Sequence, residues 1–432
     1  MQRHSFRWAA AGLFTVCLAL GWPSPARAQS ADPSDPSAAP AASAPQATQT
    51  TVQATSQPQP SFEIYGFAML DIGHNFTQIH PDWTDTLRLT KLPSSKDEFG
   101  KDNSTFAGVR QSRLGVKSST PTDFGDLKTI FEFELFGTGV DSGQTTFRLR
   151  HAWGELGTFG AGQYWSPFMD PDAFPNSLEY WGPTGLAWYR NVQLRWTPVN
   201  DEHKSFMVGL ERPGASGDQG VYADRIELDG IKPRFPVPDF SAAYKMTGKA
   251  GYLRVAGQLR VIKWDDTLDD GLELSGSATG WGLNISSNLN FGKRDVLRAA
   301  FIFGEGIQNS MNDSPIDIGI VAQTGNTLTP VTGEPIPITA ISLFLDHSWN
   351  DKTTTAIGYS MQDNDNTAGQ APNAFHVGHY MLANVLYSPV KNVMAGGEFQ
   401  WGRRENNSDG FHSDGVKLQF SFKYNFSWKL GG

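Results

Sequence analysis

From Phe62 onward the chain alternates apolar and polar residues at a period of two. The last segment is the clearest: Val416, Leu418, Phe420, Phe422, Tyr424, Phe426 and Trp428 interleave with Lys417, Gln419, Ser421, Lys423, Asn425 and Ser427. The same alternation sets Phe131, Phe133 and Leu135 against Glu132 and Glu134, and Phe147, Leu149 and Trp153 against Arg148, Arg150 and Ala152. Side chains of a strand point alternately to its two faces, so each segment reads as a strand with one apolar and one polar face. Sixteen such segments are expected: 61-72, 105-119, 125-137, 144-156, 158-164, 187-197, 204-211, 239-248, 250-263, 272-291, 295-305, 339-349, 353-362, 377-388, 392-404 and 413-428. Eighteen is the competing count, because 272-291 could divide into two short strands.

A soluble sandwich would give the same period, so the connections decide the class. Long connections at 73-104, 165-186, 212-238, 306-338 and 363-376, with shorter members at 138-143, 264-271 and 405-412, all follow odd-numbered strands. Tight turns such as Thr120-Pro121-Thr122-Asp123, Gly292-Lys293-Arg294 and Asn350-Asp351-Lys352 follow the even ones. That parity predicts an all-β, transmembrane, antiparallel up-and-down barrel with long external loops and short periplasmic turns. Trp153, Tyr164, Trp188, Trp196, Trp264, Trp349, Tyr387, Trp401 and Trp428 lie near segment ends, where aromatic girdles would sit.

A barrel of this size encloses water. If the apolar set faces lipid, the alternate set lines the lumen. Arg148, Arg150, Arg195, Arg254, Arg260, Arg298, Lys417 and Lys423 then point inward, with Arg113 and Lys117 beside them. All of these but Lys117 are the candidate solute-binding residues. Fewer acids point inward, namely Glu132, Glu134, Asp346 and Glu398. Such a lumen would focus field on entering anions. The alternative is that the bases merely satisfy Glu132, Glu134 and loop acids. The connection after Tyr164, Trp165-Ser166-Pro167-Phe168-Met169-Asp170-Pro171, is too aromatic for a solvated loop and is expected to fold into the mouth and narrow it; a lid or a subunit contact are the other readings.

Charge and composition refine this picture at the ends. Residues 1-28 read as a signal peptide: Arg3 and Arg7, an apolar run from Ala9 to Gly21, and Ala26-Arg27-Ala28 before the cut. The run is too short to span a bilayer, and the one cysteine, Cys17, lies within it. Removing Arg3, Arg7 and Arg27 takes the net charge from -9 to -12, which argues against nucleic acid as a partner. Residues 29-60, rich in Pro, Ala, Ser and Gln, are expected to be a disordered linker, leaving 61-432 as the barrel. No catalytic motif occurs; an enzyme, a cofactor and a metal site are not expected. His376 and His379 should point to opposite faces of a strand, and Asp265, Asp266, Asp269 and Asp270 read as a solvated loop tip.

The run Arg110-Gln111-Ser112-Arg113-Leu114-Gly115-Val116-Lys117, with Phe124-Gly125-Asp126-Leu127-Lys128 and Phe131-Glu132-Phe133-Glu134, resembles the second and third strands of trimeric Gram-negative porins. Asp102-Asn103-Ser104-Thr105-Phe106, Gly162-Gln163-Tyr164-Trp165 and Phe174-Pro175-Asn176-Ser177-Leu178-Glu179-Tyr180-Trp181-Gly182-Pro183 more narrowly resemble DcaP-type outer-membrane porins. The likeness is specific over residues 62 to 198 and is one of pattern beyond. It implies a sixteen-stranded homotrimer in outer-membrane lipid that passes small anions, dicarboxylates in particular. Two features depart from the family: residues 29-60 hold no heptad segment, and the chain ends in Lys429-Leu430-Gly431-Gly432 rather than at an aromatic. A closed structural or adhesive barrel and an eighteen-strand sugar channel are the competing functions. The second would need a ladder of lumen aromatics, whereas the aromatics here alternate mostly onto the lipid face.

Overall fold

The computed structural model describes residues 59–431. The expected signal peptide and all but the end of the expected linker lie outside the described residues. Strand β1 spans Ser61–Asn75. β2 has two pieces, Ser104–Gly108 and Arg113–Thr120, which pair with the two halves of β1. Then follow β3 Leu127–Phe136, β4 Thr145–Leu156, β5 Phe159–Trp165, β6 Arg190–Asn200 and β7 Lys204–Glu211. β8 is also split, into Ile231–Arg234 and Asp239–Gly248, around a Phe235-Pro236-Val237-Pro238 break whose prolines offer no N–H to a ladder. β9 Gly251–Asp266, β10 Gly276–Phe291 and β11 Asp295–Glu305 follow. β12 Pro337–Asn350, β13 Thr353–Asn364, β14 Phe375–Tyr387, β15 Val393–Asn406 and β16 His412–Gly431 complete the series.

Eighteen hydrogen-bonded segments therefore make sixteen strands. Each pairs antiparallel with its neighbour, and β1 pairs with β16 from Ser61↔Gly431 to Asn75↔Lys417, which closes the barrel and leaves no edge. The expected all-β barrel is borne out, and the segment expected at 272-291 holds one strand, Gly276–Phe291, and not two. Among the described residues no helix is long and apolar enough to cross a membrane; strands make the crossing. A separate hairpin, Ile318–Ala322 with Val331–Pro335, decorates the loop between β11 and β12.

β16 shows what the alternation achieves. Phe420, Tyr424 and Trp428 are 50%, 55% and 57% exposed on the outer wall, while Lys417, Gln419 and Ser421 are fully buried. The outer row is apolar because it meets lipid. The inner row is buried because three loops occupy part of the lumen.

One stretch breaks the alternation. β3 and β4 pair Glu132↔His151 and then Phe133↔Leu149, so Arg150 is an extra residue in a β-bulge. An extra residue reverses the faces of all that follows. Trp153, expected opposite Arg148 and Arg150 on the lipid face, is turned inward and 5% exposed, with the Arg195 guanidinium 4.6 Å from its ring centre.

Candidate functional site

Segment 166–189 folds inward, as its aromatic and proline content foreshadowed. Its first residues lie against inner-wall positions that are small: Phe168 is fully buried in a cluster with Ala243, Ala256, Ile302 and Ala340. Asp170 accepts hydrogen bonds from the Tyr252 hydroxyl at 2.8 Å and Ser286 Oγ at 2.5 Å. Its tip is held by Glu398, which accepts from the backbone N–H of Leu178 at 2.7 Å and of Glu179 at 3.0 Å.

Segment 76–103 also enters the lumen, which the sequence reading did not foresee. Leu87, Leu89 and Leu92 pack on inward residues Phe344, Tyr380 and Leu382. The loop between β11 and β12 joins them: Asn312 Nδ2 donates to the Trp181 and Pro183 carbonyls, the latter at 2.9 Å.

The inward basic residues divide according to what they face. Arg254, Arg260 and Lys417 are buried and fasten loops. Arg254 donates to the Pro167 carbonyl. Arg260 pairs with Asp239 at 3.1 Å and Asp317 at 2.8 Å and donates to the Gly306 carbonyl. Lys417 pairs with Glu179 at 2.6 Å and donates to the Asp85 carbonyl. Arg298, more open, pairs with Asp346 at 2.6 Å and donates to the Asp172 carbonyl. Arg110, Lys245 and Arg404, not singled out from the sequence, act alike: Arg110 pairs with Asp85, Lys245 with Asp172, and Arg404 holds the Thr90, Leu92 and Asn373 carbonyls. A carbonyl partner has no side-chain signature, so alternation could place these bases inward without saying what they hold.

A second group lines the wall of β2 to β6 around two acids. Arg150, 2% exposed, reaches Glu132 at 2.5 Å and Glu134 at 2.6 Å. Arg113, Arg148 and Arg190 stand farther from Glu134, at 3.8, 3.3 and 3.6 Å, and each keeps some exposure. Tyr65 donates to Glu132 at 2.8 Å, and Tyr180, carried in by the loop, donates to Glu134. Burial and the Glu134 charge both push the Tyr180 hydroxyl pKa up, which keeps it a donor. Four guanidinium groups thus surround two carboxylates. Lys423 lies over the Phe67 ring at 4.1 Å with no carboxylate within 4.0 Å among the described residues, and Arg195 reaches Glu155 only at 3.8 Å. Lys117 is the most open, its Nζ 3.4 Å from Glu63.

Arg190 was missed because it shares a parity with Val192, Leu194 and Trp196, which face outward. As the first residue of β6 it instead follows the inward loop. With Arg148 and rings from Tyr180, Trp181, Trp188 and Tyr189 it lines a cavity of about 320 Å³. The Arg190 Nη1 atom has no hydrogen-bond partner in the protein. Among the described residues no group of three or more His, Cys, Asp or Glu could hold a metal ion.

Comparison with solved structures agrees with this barrel. The DcaP outer membrane channel of Acinetobacter baumannii is 19% identical, covers 84% of this chain and 97% of its own, and superposes with a TM-score of 0.69. OmpT of Vibrio cholerae is 13% identical (85% and 98% covered, TM-score 0.52), and the anion-selective porin from Comamonas acidovorans 10% (85% and 100%, TM-score 0.53). At such identities the likeness is one of fold. No curated protein matches the chain. The sequence model described as DcaP outer membrane protein matches residues 43–249, beginning inside the segment read as linker, and the resemblance of this chain to the DcaP-type family is thereby borne out.

Proposed function

We propose that the barrel is a passive outer-membrane channel for small anions, carboxylates above all, and that it works as a homotrimer, as the family resemblance implies. The observation that carries the charge preference is the excess of guanidinium over carboxylate on one wall: Arg113, Arg148, Arg150 and Arg190 against Glu132 and Glu134. Fixed charge beside low-dielectric walls raises the local concentration of the opposite ion. Two inward acids of segment 166–189 are paired with bases, Asp172 with Lys245 and Glu179 with Lys417, and so do not offset the excess. Asp170 is 4% exposed, covered where the Tyr252 and Ser286 hydroxyls hold it.

Of the residues expected to meet solute, Arg113, Arg148, Arg195 and Lys423 keep exposed surface beside this wall, and Arg190 joins them. Arg150 orders the cluster from beneath. Arg254, Arg260, Arg298 and Lys417 act on solute indirectly, by fixing the loops that shape the passage. A dicarboxylate suits the site because forked donors from two arginines can engage two carboxylates at once. The reversal potential of single channels in a potassium chloride gradient tests the reading. Anion preference is expected; cation preference would refute it, and absence of conductance would favour a closed structural barrel.

A further inference from the structure

Three loops far apart in sequence meet at one side chain. The Arg88 guanidinium lies 4.3 Å from the ring centre of Trp83 and 4.1 Å from that of Trp181. Its Nε and Nη2 donate to Asp313 Oδ1 at 3.0 and 2.9 Å. Asp313 also accepts from the Thr90 N–H at 2.9 Å and the Thr90 hydroxyl at 2.6 Å. Trp83, Arg88 and Thr90 belong to the first inward loop, Trp181 to the second, and Asp313 to the loop between β11 and β12. A planar cation against two indoles that meet edge to face, with its own edge on a carboxylate, ties all three together.

The wall beneath carries a row of hydroxyl groups. Ser342, Ser360 and Tyr380 stand side by side in register on β12, β13 and β14. All three are fully buried, yet their hydroxyls have no hydrogen-bond partner in the protein, and neither does Gln362 Oε1 beside them. Buried polar atoms of native folds are ordinarily satisfied, so a row of four that are not calls for an explanation. The second loop lies directly on this wall. A Cβ on Gly185 would come within 2.5 Å of the Met361 carbonyl oxygen and 2.8 Å of that of Ile341, and Gly185 itself has φ of +73°. The Thr184 hydroxyl next to it is unpartnered too. Leu87, Leu89 and Leu92 hold the first loop to the wall by apolar contact, whereas segment 181–186 has a single apolar seat there, Leu186 on Ala300 beside Ser342.

We propose that Arg88 sets the width of this channel: it clamps segment 181–186 and Asp313 over a polar wall, and when it lets go these segments lift, the serine row meets water, and the pore widens. The inference rests on the barrel being an open channel but not on its charge preference.

The test uses the full-length protein and the substitutions Arg88→Ala, Arg88→Lys and Asp313→Asn. Two readings are taken: unitary conductance in planar bilayers, and swelling of channel-bearing liposomes in glucose, sucrose and raffinose. Neutral sugars report width and not charge. Arg88→Ala is expected to raise conductance and to shift the size limit toward the larger sugars. Asp313→Asn should do the same. Arg88→Lys should fall between, since it keeps the charge but not the planar fork that reaches Asp313 with two nitrogens. Wild-type conductance and size limit in both Arg88→Ala and Asp313→Asn would overturn the proposal. If Arg88→Ala does not insert, Arg88→Lys and Asp313→Asn decide by the same criterion. The reversal potential of the same wild-type channels keeps the two readings apart: cation preference there would refute anion selectivity and leave the width proposal standing.

Discussion

Replacing Arg150 and Arg148 separately by methionine, which keeps most of the aliphatic volume, separates holding the cluster together from attracting solute. Both substitutions remove one positive charge from the same cluster. Arg150 makes the two short contacts, 2.5 and 2.6 Å, to carboxylates that are 6% and 0% exposed at the side chain. Breaking a buried ion pair costs about 3–5 kcal/mol, and the lower end applies here because three guanidinium groups remain within reach of the acids. Arg148 is 24% exposed at its side chain and touches Glu134 at 3.3 Å, so its loss should cost about 1 kcal/mol or less. On permeation the two should resemble each other. A unit charge acting over about 6 Å through an effective dielectric near 40 contributes about 1.4 kcal/mol, roughly a tenfold change in anion occupancy. Thermal unfolding in detergent and reversal potential at low salt read the two effects. Arg148→Met should lose anion preference and keep its melting temperature; Arg150→Met should lose both. In 1 M salt, where screening falls to about 3 Å, the selectivity difference from wild type should shrink. An Arg148→Met variant with unchanged reversal potential at low salt would refute the reasoning, as would one destabilised as much as Arg150→Met.

Two further outcomes follow from the loop anchors. Glu398, 1% exposed, accepts from two backbone N–H groups and from Asn384 and Gln400. Glu398→Ala leaves both N–H groups without a partner at about 1–3 kcal/mol each, so hydrogen exchange over residues 176–182 should accelerate; unchanged protection would show that the tip is held elsewhere. In the first loop, His80 Nδ1 accepts from the Asp82 N–H at 3.2 Å, and burial holds the His80 pKa below its ordinary value. The neutral ring is the one that caps, so this contribution is present above about pH 6.5 and is lost as pH falls through the lowered pKa of the folded protein. Protection of the amides of residues 80–84, taken against the intrinsic exchange rate at each pH, should fall from pH 7.5 to 5.5, and the fall should flatten in His80→Asn; a flat wild-type protection profile would count against it.

The strands were legible because lipid and water meet opposite faces of one backbone, which imprints period two directly on the residues. The segment expected at 353-362 is the strand Thr353–Asn364, and that at 295-305 is Asp295–Glu305. The bulge at Arg150 was not legible, since Phe147 to Trp153 looks continuous until its partner strand supplies the register. Nor was the inward path of the first loop. Leu87, Leu89 and Leu92 are there to be read, but three leucines in a long connection do not say which surface covers them. The covering surface did leave a trace: Ala243, Ala256, Ala340 and Ala356 are small residues in the inward set, where a water-facing wall has no need of them, and each makes room for a loop.

The same distinction explains why counting inward arginines overstates the charge that solute meets. A basic side chain facing a backbone carbonyl or a buried acid acts chiefly as a structural donor, and Arg254, Arg260 and Lys417 are of this kind. One facing the passage with a partner beyond 3 Å retains its field, as Arg113, Arg148 and Arg190 do. The two kinds lie on different walls because the loops do. Where a loop lies close against the strands the bases are consumed in holding it, and where it meets the wall chiefly through Tyr180 on Glu134 the bases beside that contact keep part of their surface for what passes. Selectivity and constriction are therefore linked through the three loops, which together engage Arg254, Arg260, Arg298, Arg404 and Lys417 and leave Arg113, Arg148 and Arg190 of β2 to β6 facing the solute.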